Sequence, residues 1–561
     1  MITHKLASLF LVFAGLASAA LTREQKVLDL QMLAATYAKN YGPYEWKRQA
    51  LQFDLMDLSK WLGRAADTKD DLDFYDLCVE YVASLNDAHD YFSIPSDFVA
   101  RLNFTVDIYG GKPLVDSVDL SRLPAATFNI RVGDEVVSVD GVPAADLITS
   151  LMKYAVAGND RSTRRAAAAY LSLRRQSRIP RAHEVPEESV VVLLSAEGES
   201  KTLKIPWIRS GSPLLEVGPL PNFTVATGRA ANAHRSAEES DPLERLRNIR
   251  VDASQTVLNV GARVPYFTLP ANFLVRQGRS GGDIFYSGSW EVDGQKLGYI
   301  RIADFSQSSG GFAVTSFATE IAWFQANTDG LIIDITRNPG GNACYVESLA
   351  AYLFPDEFRT VGFEVRATTS WILSFTSQLT LLKALGADAA TIDIYAGIVD
   401  ALKTANAASR GRTQPISLCG KTLQLPPAKD RSGNLVSYQK PLMLLTDEFS
   451  ASGADAFAAI VQDNARGRIF GYRTMGAGGN VTTYPGVTPF TEGDTRVTES
   501  LMNRKHPVVV SDFPTSFYVE NVGVRPDVQY DYMTRENLLN RGSAFVEAFA
   551  KAMVEYVNSL K

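Results

Sequence analysis

The chain has 561 residues, which allows about three to five domains. Hydrophobic residues make up 46% of it and charged residues 21%, which excludes a wholly disordered protein. The net charge is −6 and no run of five or more like charges occurs, so nucleic-acid binding through a basic patch is not expected. Three cysteines are too few for a disulfide-rich fold or a four-cysteine zinc site.

Residues 1–19 have the pattern of a secretory signal peptide. A short apolar run over 6–16 is followed by the small residues Ala17-Ser18-Ala19. The run is too short to span a bilayer, and a buried N-terminal helix is the alternative. We therefore predict an extracellular protein without stable membrane insertion, in which three cysteines allow at most one disulfide bond of open pairing. The predicted glycosylation sites are the sequons at Asn103, Asn222 and Asn480.

The N-terminal third of the chain divides into a helical and a β-rich part. Over residues 20–100, large apolar side chains recur at helical spacing. Over residues 101–210, strand-like runs such as Phe104–Tyr109 and Glu135–Val139 alternate with turns, and a helix follows. This succession resembles a PDZ domain; an unrelated small β-rich module is the alternative. The polar stretch 211–254 is predicted to be a linker or a mobile loop.

The remainder of the chain alternates between short apolar strands and helices. Buried strands are predicted at Leu331–Ile335 and Leu442–Leu445, within a core spanning 255–545. A helical insertion is predicted at about 367–410, and a C-terminal helix over 546–561. The predicted fold class is therefore a multidomain α/β (α+β) protein.

A buried strand, a turn of small residues and a helix follow one another around Ser450 and Ser452. The helix has apolar residues at i, i+3, i+4 and i+7 from Ala454. A serine at this junction lies beside the free N–H groups and the positive dipole end of the helix, an arrangement that suits acyl transfer. The alternative is that the serine only caps the helix.

A second strand runs into a glycine-rich turn at Asn338-Pro339-Gly340-Gly341. Adjacent glycines after a strand allow a backbone N–H to point at a ligand. Two such strand-to-loop sites in one chain are stronger evidence than either alone.

Together these segments resemble the C-terminal-processing, or tail-specific, serine proteases. In that family one strand ends D-[LI]-R-x-N-x-G-G and a later strand is followed by S-A-S-A. The matching residues here are 334–341 and 450–453. The resemblance covers about residues 255–350 and 438–530.

The resemblance implies a ClpP/crotonase-like protease core with an inserted PDZ-like domain. It also implies that Ser452 is the nucleophile and that the N–H groups of Gly453 and of Gly340 or Gly341 form the oxyanion hole. The lysine that serves as the base in most of the family is missing, because Ala477 stands at its position.

A branch of the same superfamily, resembling the chlamydial protease-like activity factor and secreted fungal relatives, uses histidine as the base. Its histidine precedes the PDZ-like domain, where this sequence has His89 flanked by Asp87 and Asp90. The resemblance therefore implies His89 as the base, and the alternative is a helix-terminal histidine at the surface. A histidine base lies unprotonated around neutral pH, since its reference pKa is about 6.5.

The same branch implies a late glutamate that orients the histidine. Glu520, in the segment E-N-V-G-V-R-P-D, is the matching residue. Asp527 is its rival, although a turn residue after proline is the ordinary interpretation of it. Next to the serine, Glu448 is expected to be an exposed turn residue and Asp455 a first-turn helix acid.

These patterns predict a secreted serine endopeptidase that acts on protein or peptide substrates. A catalytically inactive family member that binds a peptide or an apolar ligand is the first alternative, and an enzyme acting on non-peptide esters or amides is the second. No metal or cofactor is predicted, because the chain lacks the common ligand motifs. Cys344 is expected to be a small buried residue. The oligomeric state stays open, with a homodimer as one option.

Overall fold

The computed structural model describes residues 20–55, 57–215, 257–409 and 411–560. The predicted signal peptide, most of the predicted linker and Asn222 lie outside these residues. No helix within the described ranges is long and apolar enough to cross a membrane.

The secondary structure mixes helices and strands throughout. The helices are α1 (Arg23–Asn40), α2 (Tyr44–Leu51), α3 (Ser59–Ala66), α4 (Asp71–Ala83), α5 (Ala125–Phe128), α6 (Ala144–Leu151), α7 (Asp160–Ala169), α8 (Phe312–Asn327), α9 (Ala343–Ala351), α10 (Thr369–Ala384), α11 (Ala389–Ala407), α12 (Gly453–Asp463), α13 (Arg535–Leu539) and α14 (Ser543–Ser559). The strands are β1 (Tyr91–Ser93), β2 (Val99–Arg101), β3 (Phe104–Tyr109), β4 (Lys112–Val118), β5 (Glu135–Val139), β6 (Val142–Pro143), β7 (Leu173–Arg175), β8 (Glu188–Leu194), β9 (Ser200–Pro206), β10 (Ile208–Ser210), β11 (Leu274–Gln277), β12 (Tyr286–Val292), β13 (Gln295–Arg301), β14 (Gly330–Asp334), β15 (Phe358–Arg359), β16 (Gly362–Val365), β17 (Gln424–Leu425), β18 (Leu442–Thr446), β19 (Arg468–Gly471), β20 (Val481–Tyr484), β21 (Asp494–Thr498), β22 (Ser500–Val508), β23 (Ser516–Tyr518) and β24 (Val528–Gln529).

A seven-stranded sheet of order β11-β12-β13-β14-β18-β19-β24 forms the centre of the core. Within this sheet, neighbouring strands among β13, β14, β18, β19 and β24 pair in parallel, whereas β12 pairs antiparallel with both β11 and β13. Every residue of β14 and β18 is buried, as expected for parallel strands that are covered by helices on both faces.

Alternate residues of these strands point into two separate hydrophobic clusters. On one face, Leu331 and Leu444 pack against α8, α9 and α12. On the other face, Ile332 and Met443 pack against the C-terminal helix α14. This arrangement is a three-layer α/β sandwich.

The β-rich part of the N-terminal third is a second unit with its own core. Its antiparallel sheet has the order β3-β4-β5-β8-β9, and α6 and α7 cover it. The predicted turn after β5 is present, since Asp140 and Gly141 both have positive φ. Helix α7 lies between α6 and β7, in a stretch rich in Arg and Ala.

The N-terminal helical region packs against the core rather than standing apart. Helices α1 to α4 end at Ala83, and the short strand β1 then pairs antiparallel with β21 of the core. In this pairing Tyr91 lies opposite Arg496. This pairing brings the turn that carries His89 next to the core.

A helical hairpin, α10 and α11, is inserted between β16 and β17, close to the predicted bounds. A disulfide bond joins Cys344 in α9 to Cys419 after the hairpin, while Cys78 is a buried free thiol. The expectation that Cys344 is a small buried residue is wrong, because Cys344 is half-buried and bonded to a cysteine 75 residues away along the chain.

Candidate active site

The two predicted strand-to-loop segments meet because their strands are neighbours. Strands β14 and β18 pair in parallel, with Leu331 opposite Leu442 and Asp334 opposite Leu445. Their carboxyl ends therefore lie at one edge of the sheet, where open α/β sheets place their binding sites. The N–H of Ala451 donates to the carbonyl of Asn338 (2.9 Å) and fastens one loop to the other.

The two serines of the turn differ in their surroundings. Ser450 is fully buried, and its hydroxyl donates to the carbonyl of Ile335 (2.9 Å) and accepts the N–H of Asp447 (3.0 Å). Ser452 is half-buried and lines a cavity. Its backbone has φ 55° and ψ −111°, a strained conformation for a residue other than glycine and unlike the extended one usual before a helix. Ser452 rather than Ser450 therefore has the accessibility that a nucleophile needs.

Two backbone N–H groups beside Ser452 have no partner among the described residues, those of Gly341 and Gly453. The N–H of Gly340 already donates to Oδ1 of Asn338 (2.8 Å), so of the two predicted glycines Gly341 has the free donor. Gly340 is needed for close approach, because a Cβ there would lie 2.6 Å from Cβ of Ser452. Two free amide donors next to a serine form the geometry of an oxyanion hole.

Asp455, in the first turn of α12, holds the serine turn in place. Its carboxylate accepts the N–H groups of Ser452 (2.8 Å), Gly476 (3.0 Å) and Ala477 (3.0 Å), and the hydroxyl of Thr474. Burial raises the pKa of Asp455 to about 6 in spite of these donors. The loop that contains Gly476 and Ala477 is thus tied to the turn of Ser452 through this carboxylate.

Ser452 and His89 line the same cavity, which has a volume of about 1190 Å³. Its wall includes the end of α4, the turn before β1, helix α7 with the segment before it, and loops of the core. Ala477 and Gly341 also lie on this wall. A cavity of this size, with converging polar groups, is large enough for several residues of a peptide.

His89 is 6% exposed, and neither ring nitrogen has a hydrogen-bond partner among the described residues. Its main-chain N–H donates to Oδ1 of Asp87 (2.9 Å), which fixes the turn. Burial, and then the positive charges of Arg496 and Lys47, lower the pKa of His89 to about 3, although Asp87 opposes them. The imidazole is therefore neutral at pH 7, the form that can accept a proton. The alternative of a surface histidine is wrong.

Glu520 is fully buried close to this turn, but its carboxylate contacts other groups than the imidazole. Oε1 accepts the ammonium of Lys47 (2.5 Å) and Oε2 accepts the N–H of Gly478 (2.9 Å). Burial and the nearby charge of Asp87 raise the pKa of Glu520 to about 7, while Lys47 lowers it. The rival carboxylate, Asp527, accepts the N–H of Ile469 (2.7 Å) instead.

Several other predicted residues lie elsewhere. Glu448 is 1% exposed and forms ion pairs with Arg161 and Arg165 of α7, so the expectation of an exposed turn residue is wrong. Asn103 and Asn480 are half-buried, and Asn480 lines the cavity. In the part of the chain that the structure describes, no three His, Cys, Asp or Glu residues are grouped as metal ligands would be.

Comparison with known families assigns the core. Residues 296–500 match peptidase family S41. This range includes both β14 and the serine turn. The chain contains an S41 peptidase domain. Residues 99–214 match a PDZ domain, and this match covers the β-rich unit described above. The chain is accordingly a serine-type peptidase with a PDZ domain ahead of most of its protease core, as the sequence predicted.

Similar proteins extend over nearly the whole chain. A protein of Chlamydia trachomatis serovar D is 25% identical over 592 residues, which cover 95% of this chain and 92% of the relative. An uncharacterized protein of Chlamydia muridarum is 25% identical over 98% of this chain and 95% of its own. The solved structure of mature CPAF complexed with lactacystin is 23% identical, with a TM-score of 0.75 over 96% of this chain and 99% of that one. This structural likeness concerns the fold.

Sequence reasoning missed two buried residues next to the candidate site. Lys47 belongs to no motif, and its partner Glu520 lies 473 residues away along the chain. Asp455 is predicted from sequence only as a first-turn acid. An acid three residues after a serine, the spacing of Asp455 from Ser452, is nevertheless a known pattern for a side chain that accepts a backbone N–H. That spacing was the one signal available.

Proposed function

We propose that this chain is a secreted serine endopeptidase in which Ser452 is the nucleophile and His89 the general base. The observation that carries the proposal is the setting of Ser452: a strained, accessible serine beside the free N–H groups of Gly341 and Gly453. His89 lies on the wall of the same cavity with both ring nitrogens unpartnered.

The proposed reaction follows from these groups. The hydroxyl of Ser452 attacks the peptide carbonyl while its proton passes to the neutral imidazole of His89. The N–H groups of Gly341 and Gly453 then bind the developing oxyanion. The imidazolium returns the proton to the leaving amine as the C–N bond breaks. Water then attacks the acyl-enzyme while His89 accepts a proton from it, and His89 returns that proton to the oxygen of Ser452 as the ester bond breaks.

We assign Glu520 to supporting the positive charge that forms on His89. Its carboxylate does not touch the imidazole, and Asp87 is the acid whose charge acts on His89 directly. The charges of Glu520 and Asp87 are close enough to affect each other. Negative charge near the base opposes the effect of Arg496 and Lys47 on its pKa and favours the imidazolium in the transition state.

The test is turnover of an unfolded protein substrate by matched variants. Ser452→Ala and His89→Ala should each lower kcat by on the order of 10³-fold or more, because each removes a member of the catalytic unit. Ser450→Ala is the control for the turn, and His506→Ala, at an exposed position, is the control for the base. Activity in His89→Ala above about a tenth of wild type would reject the base.

The same experiment separates the other functions. A binding protein without catalysis would show no turnover that depends on Ser452, and an esterase would turn over small esters but no peptide. Either result would reject the endopeptidase proposal.

Export is part of the proposal and is supported by the signal-like segment 1–19 and by the Cys344–Cys419 bond, since such bonds persist in oxidising compartments. N-terminal sequencing of protein from the medium should give a chain that starts near Ala20 or Leu21. A start at Met1, or retention in the cells, would contradict it. Loss of mass after glycosidase treatment would test the sequons.

A further inference from the structure

A lysine on the short helix α2 is completely buried at the edge of the site. The side chain of Lys47 is 0% exposed. Its ammonium donates to Oε1 of Glu520 (2.5 Å), to Oδ1 of Asn521 (2.7 Å) and to the carbonyl of Asn86 (3.0 Å). All three N–H donors of the ammonium group are therefore used. Lysine is almost never fully buried without such partners.

These contacts join the turn that carries His89 to the turn that carries Glu520. Asn86 lies three residues before His89 and has positive φ (46°), a turn conformation that asparagine adopts more readily than most residues. The amide of Asn521 also donates to the carbonyl of Asn86 (2.8 Å), next to the ammonium of Lys47. The neighbouring Trp46 donates its indole N–H to the carbonyl of Glu520 (3.1 Å).

The contacts extend to the loop beside the nucleophile. Glu520 accepts the N–H of Gly478 on the side opposite to Lys47. Gly478 follows Ala477, which lines the cavity and is held by Asp455. One ammonium group thus connects, through Glu520, the turn of the base to the loop that Asp455 ties to Ser452.

The cost of burying this ion pair indicates a role other than stability. Each ion loses several kcal/mol of hydration on burial, and a well-packed apolar pair of similar volume is often as stable or more stable. The groups whose charges interact with those of Lys47 and Glu520 are themselves charged or titratable, and they include Asp87, His89, Asp90 and Tyr41. A charge pair at this point affects the base, whereas an apolar pair would not.

We propose that Lys47 is a positioning residue for the base, holding Glu520 and the Asn86 turn in the arrangement that presents His89 to the cavity. This inference rests on the proposed function. It adds that Lys47 and Glu520 act as one unit, because the ammonium and the carboxylate hold each other in place.

The test compares Lys47→Met with Lys26→Met in steady-state kinetics. Lys26 is the matched control, a buried lysine of α1 whose ammonium contacts the carbonyls of Thr68 and Asp70. We expect Lys47→Met to lower kcat by on the order of 10²-fold with KM changed less than about threefold, because the substrate contacts stay while the base is misplaced. Lys26→Met should leave both constants within about threefold.

A double variant, Lys47→Met with Glu520→Gln, keeps the test available if Lys47→Met does not fold, because it leaves no unpaired buried charge. Its kcat should be no lower than that of Glu520→Gln alone, since the two residues act together. Independent roles would instead multiply the two losses and would overturn the proposal. A double variant with kcat within about threefold of wild type would overturn it as well.

The pH profile gives a readout that a purely structural role would not move. Lys47 lowers the pKa of Glu520, so its removal should shift the part of the kcat/KM profile that depends on Glu520 to higher pH. The double variant should lack that part. Loss of thermal stability in Lys47→Met with unchanged kcat and an unchanged profile would overturn the proposal but leave the function intact. Absence of Ser452-dependent turnover in the wild type would overturn both.

Discussion

Because His89 is buried in its neutral form, we predict that its contribution to the free energy of unfolding falls as the pH is lowered. Burial lowers the pKa of His89 from 6.5 to about 3 in the folded chain, whereas the imidazole of the unfolded chain titrates normally. The unfolded state therefore binds a proton below pH 6.5 that the folded state refuses. The stability linked to His89 is present above pH 6.5 and is lost progressively as the pH falls towards 3.

The size of the effect follows from these two pKa values. Between pH 7 and pH 5, protonation of the unfolded imidazole lowers the free energy of unfolding by about 2 kcal/mol. The buried carboxyls of Glu520 and Asp455 have raised pKa values and change stability in the opposite direction. Because those groups stay in a His89→Gln variant, the comparison of the two proteins isolates the contribution of His89.

The assay is denaturant unfolding of wild type, His89→Gln and His506→Gln at pH 7 and pH 5. The wild type should lose about 2 kcal/mol more than His89→Gln over this interval, and His506→Gln should behave as the wild type because His506 is exposed. Equal pH dependence of the wild type and His89→Gln, within about 0.5 kcal/mol, would refute the argument that burial lowers the pKa of His89.

Three further predictions concern the glycine turn, the carboxylate of Asp455 and the disulfide bond. Gly340→Ala should lower kcat at least about 10²-fold, because the new methyl would force apart Gly340 and Ser452; Gly310→Ala, where a Cβ meets nothing within 4 Å, is the control. Asp455→Asn should lower kcat by on the order of 10²-fold at unchanged KM, since one amide cannot accept the N–H groups that the carboxylate holds; equal kcat would contradict this. Replacing both Cys344 and Cys419 by Ser should lower the free energy of unfolding by on the order of 4 kcal/mol in urea titrations, given the 75-residue separation, and a loss below about 1 kcal/mol would argue against the pairing.

The turn that carries Ser452 could be predicted from sequence because its determinants are local. A buried strand, a turn of small residues and an apolar helix face are continuous along the chain around Ser452. Continuous apolar runs indicate strands that are buried on both faces, so the predicted bounds of β14 and β18 lie within one residue of the observed ones.

The residues that sequence reasoning missed depend on contacts between distant segments. Lys47 has its partner only where the fold brings Glu520 beside it, and Glu448 is buried because Arg161 and Arg165 of α7 in the PDZ domain pair with it. The choice between Gly340 and Gly341 is decided by the side chain of Asn338, which occupies one of the two N–H groups. Sequence spacing gives no information on such choices.

The central claim, that Ser452 is the activated nucleophile of this S41 domain, is tested most directly by active-site labelling. Wild-type protein is treated with a fluorophosphonate at pH 7, digested, and the modified residue is located by tandem mass spectrometry. The account predicts one phosphonylated residue, Ser452, and strongly slowed labelling in His89→Ala, because the neutral imidazole accepts the serine proton. Labelling at Ser450, or labelling of Ser452 at an unchanged rate in His89→Ala, would contradict it.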